Sequence, residues 1–131
     1  MKKSTAIIIF GIILISSLAS CQRKRMALNI PNIEYTDSIS YKTYQYTSDS
    51  VIVDSVVIKD KDDIQEVVNL LKEHTFKVAA KFASDKRMTF FIKGAQENIS
   101  IGMKGVKGIK YNGEYECDVD VETFMENLLK K

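Results

Sequence analysis

Few side chains in this chain of 131 residues could carry a reaction. His74 is the only histidine, and Cys21 and Cys117 are the only cysteines. A Cys117–His74 couple would let the imidazole take the thiol proton and free a thiolate for attack. No third group that would orient the ring suggests itself, and each residue has a plainer role. His74 closes an amphipathic stretch, where a cationic ring suits the negative end of a helix. Cys117 stands in a short strand-like run, where a thiol packs as a small apolar group. This inventory cannot build a two-histidine or cysteine-rich metal site within one chain. Carboxylates cluster at Asp60-Lys61-Asp62-Asp63 and at Asp118-Val119-Asp120-Val121-Glu122, each like the start of a calcium loop. The sixth positions hold Gln65 and Thr123 where such a loop needs glycine, and the twelfth hold Leu71 and Leu129 where it needs an acid. Both clusters open a helical pattern, so capping is their expected role. No metal, cofactor or enzymatic activity is expected.

Three Gly-x-Lys triplets run from Gly102 to Lys110. A mobile basic loop presenting Lys104, Lys107 and Lys110 could receive an anionic ligand, lipid head group or acidic protein surface. The plainer alternative is a strand broken by glycine bulges with its lysines pointing outward. It is not a phosphate-binding P-loop, which needs Gly-Lys-Ser/Thr ahead of a helix. Tyr41, Tyr44 and Tyr46 could make an aromatic face for a glycan, but the chain has no tryptophan. Packing on a neighbouring strand is the better expectation for them.

Cys21 belongs to a different chemistry. Ahead of it stand a basic start, Met1-Lys2-Lys3, an apolar run from Ala6 to Ile15, and Ser16-Ser17. A membrane-spanning helix needs about 20 apolar residues, and this run is too short for one. The layout is that of a secretory signal peptide. Leu18-Ala19-Ser20-Cys21 resembles the lipobox of bacterial lipoproteins. The resemblance implies that the Cys21 thiol receives a diacylglycerol, that the peptide is cut just before it, and that the new amine is often acylated. Two or three chains hold a protein durably where one does not. The whole chain has 19 basic and 17 acidic side chains, and these become 17 and 17 once Lys2 and Lys3 leave. A neutral mature chain carries no electrostatic footprint for nucleic acid, and secretion argues against that partner. Arg23-Lys24-Arg25 beside the anchor could attract anionic head groups or serve as a solvated tether. Lipoproteins bound for the surface of some Gram-negative cells resemble one another in acidic residues there, so the basic ones lean towards the periplasmic face of an outer membrane. In a Gram-positive cell the same anchor would sit on the outer face of the cytoplasmic membrane.

The elements that follow must position whatever the chain presents. Residues 1–20 are expected as signal peptide, 21–38 as lipidated cysteine and linker, and 39–131 as one small domain. Tyr41 to Thr47 and the β-branched run Val51 to Ile58 read as strands that could form a hairpin, with the second buried on both faces and central. Asp62 with Gln65 gives a variant capping box, and Ile64, Val67, Val68 and Leu71 follow at i, i+3, i+4 and i+7. Phe76 to Phe82, Met88 to Ile92 and Ile99 to Met103 alternate as strands covered on one side. Asn112-Gly113 signals a hairpin returning through Glu114 to Cys117. Asp118 or Asp120 caps a last helix, with Val121, Phe124, Met125 and Leu128 as its stripe. The expected fold is α+β, an antiparallel sheet of about four to six strands with two amphipathic helices on one face, in the order β(β)-α-β-β-β-β-α. Residues 51–129 are similar to small bacterial lipoprotein domains that share a β-branched strand, an Asp-rich helix start, a meander, a Tyr-x-Gly-x-Tyr-like hairpin and a short terminal helix. That similarity implies no activity. The expectation is an envelope lipoprotein with a non-catalytic protein-binding domain (inhibitor, immunity or assembly-accessory). The alternative is a binding module for an anionic ligand or lipid through the Gly-x-Lys stretch.

Overall fold

The computed structural model describes residues 26–131. The expected signal peptide, Cys21 and the basic Arg23-Lys24-Arg25 lie outside the described residues. Strands β1 (Thr36–Tyr46) and β2 (Val51–Ile58) precede helix α1 (Lys61–Glu73). Strands β3 (Phe76–Val78), β4 (Lys86–Ile92), β5 (Ile99–Lys104), β6 (Gly108–Lys110) and β7 (Glu114–Cys117) follow, and helix α2 (Val121–Leu129) ends the fold. One antiparallel sheet holds all seven strands in the order β2-β1-β4-β5-β6-β7-β3. The class is α+β as expected, with one strand more than the expected upper number because the Asn112-Gly113 hairpin has a leading strand, β6, as well as a returning one.

Alternation sorts the residues onto two faces. Tyr41 pairs with Met88, Met88 with Ile101, and Met103 with Ile109, and all of these are buried against the helices. On that same face Phe76 pairs with Cys117, both buried. From α1 the expected stripe Ile64, Val67, Val68 and Leu71 is buried, and from α2 Val121, Met125 and Leu128. The opposite face carries Lys42, Arg87, Ser100, Lys110 and Glu114, and neither of the described helices covers it.

Three local expectations change. The cap of α1 is Asp60, whose carboxylate accepts hydrogen bonds from the Asp62 and Asp63 N–H groups at 2.9 and 3.1 Å. The helix therefore starts one residue before Asp62 and leaves that side chain no free N–H to cap. Phe76 to Phe82 is a strand only as far as Val78. The Ala79 N–H still bonds the Glu114 carbonyl at 3.0 Å, and the chain then crosses to Asp85, which bonds Met103 and Tyr44. Residues 26–38 are not a plain linker. Ile30 and Ile33 are buried, and the Met26 N–H and C=O each bond to Phe76 at 2.8 Å, which extends the sheet beyond β3.

The two helix starts can be told apart by mutation. Asp60→Ala should lower stability by about 1 kcal/mol through the lost cap, while Asp62→Ala should cost much less. Chemical denaturation of the two variants measures this, and an equal loss in both would return the cap to Asp62.

Candidate functional site

The run Val51 to Ile58, expected at the centre of the sheet, is its edge. β2 pairs only with β1, and Val51, Ile52, Val53, Val56 and Val57 are each 46–52% exposed. These residues alternate between faces, so β2 is apolar on both sides and covered on neither except at Ile58. The turn Thr47 to Ser50 joins β2 to β1. It is closed by the Thr47 N–H to Ser50 C=O bond at 2.9 Å, and it carries the hairpin past the reach of the helices. On the open face Val51 lies opposite Tyr46 and Val53 opposite Tyr44. Exposed Phe91 lies on the same face of β4, next to Ser38. Tyr41 points to the covered face instead, so the three tyrosines do not share a surface. Proteins commonly blunt free edges with lysine, proline or bulges, and β2 holds none of these.

The Gly-x-Lys stretch is a β5–β6 hairpin fastened from behind. Gly105 turns the chain at φ +58°, and a Cβ on Gly108 would strike the Lys104 carbonyl oxygen at 2.4 Å. The carbonyl of Val106 accepts from the Glu122 N–H at 3.3 Å, and that of Lys107 from the Cys117 N–H at 2.9 Å. These bonds fasten the turn between two strands, which is closer to the plainer alternative of a strand broken at its glycines than to a mobile loop. Its lysines do not ring one pocket. Lys110 bonds Glu114 at 3.5 Å and lines a shallow depression of about 290 Å³ with Ser84, Arg87, Ser100 and Gly102. Lys104 and Lys107 stand outside that depression.

His74 and Cys117 meet the same carboxylate, not each other. Asp118 Oδ1 lies 3.1 Å from His74 Nδ1, and the Cys117 thiol donates to that same oxygen at 3.7 Å. The Thr75 hydroxyl donates to Asp118 Oδ2 at 3.3 Å. Asp118 thus ties the end of α1 to the end of β7. Slight desolvation acts to raise the Asp118 pKa, but the His74 charge and the Thr75 hydrogen bonds outweigh it and hold the carboxyl below its ordinary value. Burial pushes the Cys117 thiol up, so it stays protonated where a nucleophile would have to ionise. A groove of about 440 Å³ between α1 and α2 includes Glu73, His74, Asp120 and Phe124, but Cys117 does not line it. Among the described residues no three His, Cys, Asp or Glu side chains are placed to hold a metal ion.

At the boundary of the helix cover, the Lys86 ammonium bonds Glu122 of α2. Desolvation works to lower the Lys86 pKa, and the Glu122 hydrogen bond and charge more than reverse it. Tyr41 is raised, chiefly by its own burial. This polar clamp was not legible in the sequence, since Lys86 and Glu122 are 36 residues apart.

No protein-family model, curated protein or solved structure matches this chain. Two outcomes follow from the geometry. Native Cys117 should resist thiol reagents until the domain unfolds, as quantitative labelling with and without denaturant will read; fast, complete native labelling would contradict its burial. Asp118 has a depressed folded pKa, so its contribution is present above the ordinary carboxylate value of 3.8 and is lost as pH falls through the folded value. The stability advantage of wild type over Asp118→Asn should therefore hold at neutral pH and shrink below about pH 4. Thermal melts across that range test it, and a difference independent of pH would contradict the linkage.

Proposed function

We propose that this chain is a membrane-anchored envelope lipoprotein whose domain binds a protein partner without catalysis, docking it on the β2 edge and the adjoining Tyr44–Tyr46 strip. One observation carries the reading: an eight-residue, β-branched edge strand is exposed on both faces. An unpaired strand edge offers main-chain hydrogen bonds to an incoming strand, and its alternate side chains supply apolar contacts. Supporting the anchor is the Leu18-Ala19-Ser20-Cys21 segment, with the basic residues after it favouring a periplasmic leaflet. Supporting a role away from the membrane is the position of Met26, which pairs at the β3 end of the sheet. Six strand spacings separate β3 from β2, about 29 Å, so Met26 and the docking edge sit at opposite ends of the sheet. No helix among the described residues is long and apolar enough to cross a membrane.

An anionic ligand is the second reading, and the Arg87–Lys110 depression favours it. Arg87 lies directly opposite Lys42 across the β1–β4 pair, an arrangement that an oxyanion would relieve.

Cys21→Ser should abolish membrane fractionation at mature size or leave uncut precursor; a serine variant still membrane-bound at mature size would contradict the anchor. Val53→Lys combined with Val57→Lys should abolish the partner adduct seen by cross-linking in the native cells. Both positions are exposed, so the melting temperature should change little. Replacing Lys104, Lys107 and Lys110 together by Gln should leave the adduct intact. The reverse pattern would move recognition to the basic turn and favour the anionic ligand.

A further inference from the structure

The free edge of β2 has a sequence that suits one particular strand. Ile52-Val53-Asp54-Ser55-Val56-Val57-Ile58 reads the same from both ends, apart from the exchange of Asp54 and Val56. A strand that is nearly its own mirror about Ser55 can pair with a second copy of itself running antiparallel.

We propose that the β2 edge is closed by β2 of a second copy of this chain, with Ser55 on the two-fold axis. The inference rests on the reading of β2 as a docking edge and names the strand that fills it.

Symmetry restricts the register. Two antiparallel strands related by a two-fold axis must have that axis perpendicular to the sheet, so each copy keeps its helices on the same side. Residues facing each other must then come from the same face, which places a residue opposite its own copy at the axis. With Ser55 there, Val53 meets Val57 of the second copy on the open face, and Ile52 meets Ile58 on the helix side. Moving the axis one residue earlier sets Asp54 against its own copy, and like charges directly opposite destabilise a ladder. Moving it one residue later puts Val53 against Lys59 and Ile52 against Asp60, both beyond the strand, and shortens the paired length. Charge and length together select Ser55.

The other edge of the sheet explains why the pairing closes. A head-to-tail contact of β2 on β3 would propagate into an open filament. The outer side of β3 is already engaged at Phe76, where both main-chain groups bond Met26 at 2.8 Å. That leaves β2 on β2, an isologous contact that uses up both free edges and stops at two copies. It joins the two sheets into one surface with the Tyr44 and Tyr46 strips on the same face. Anchoring both copies in one membrane would raise their effective concentration for each other.

Ser55→Cys in the full-length protein, in a Cys117→Ala background, tests the register directly in isolated membranes under mild oxidation. Ser55 is exposed, so the replacement leaves the core untouched. A disulfide-linked dimer is expected, while Lys104→Cys, exposed on the same face three strands away, should stay at the mass of one copy. In mild detergent the wild type should have twice the protein mass of the Val53→Lys, Val57→Lys variant. A monomeric Ser55→Cys protein, or equal cross-linking from both positions, would overturn the second copy as occupant. If the double-lysine variant in that case still loses an adduct of a different mass, a foreign strand fills the edge and the docking reading stands. If it loses none, the docking reading fails as well.

Discussion

The width of the sheet against the width of its cover governs this domain. Strands sit about 4.8 Å apart, so seven of them span about 29 Å from first to last. Two helices, each about 10 Å across, cover about 20 Å of that. The chain resolves the mismatch by leaving the β2 end bare, since even the far edge strand β3 buries Phe76. Met88, Phe90, Ile101, Met103 and Ile109 are wholly buried, and β1 is buried only from Ile39 to Tyr41. β2 keeps just Ile58 under cover. The uncovered hairpin is therefore a consequence of how little helix the chain has for so wide a sheet.

Polar clamps fix where the cover ends. Lys86 and Glu122 join the sheet to the start of α2, with their side chains 14% and 25% exposed. Removing one partner of such a pair leaves the other charge poorly solvated, a larger loss than the pair's net worth. At the far end Lys131 bonds Glu66 of α1 at 2.7 Å, and the Glu66 hydrogen bond raises the Lys131 pKa. Asp118 holds the end of α1 to the end of β7, and Asp120 caps α2 through the Thr123 N–H at 2.8 Å. The residues that could have formed a catalytic couple are used in this framework. His74 and Cys117 share an acceptor in Asp118, and the thiol faces the core rather than a groove.

Local chemistry made much of this legible in the sequence. The stripe Ile64-Val67-Val68-Leu71, the Asn112-Gly113 turn and the alternation of Met88 to Ile92 each follow from spacing within a few residues. What failed was everything set by neighbours far along the chain. Val51 to Ile58 has the composition of a buried central strand, and composition cannot report which strands flank it. Its edge position depends on β4 pairing with the other side of β1, a contact between Tyr41 and Met88 that no local pattern encodes. The same limit applies to Ile30 and Ile33, which lack periodicity yet are buried. Three glycines leave open whether Gly102 to Lys110 is a mobile loop or a strand broken by bulges. Its rigidity comes from Glu122 and Cys117, which bond the turn from outside it.

Amide hydrogen exchange along β2 tests the central claim most directly, because it reads the outward main-chain groups of the edge without any substitution. In the full-length protein in its membrane, the outward-facing amides of Val51–Ile58 should exchange as slowly as their inward-facing neighbours bonded to β1. Dilution in detergent to below the dimer's dissociation concentration should release them. Outward amides that exchange at unprotected rates in the membrane would mean that the edge is bare, and would contradict the account.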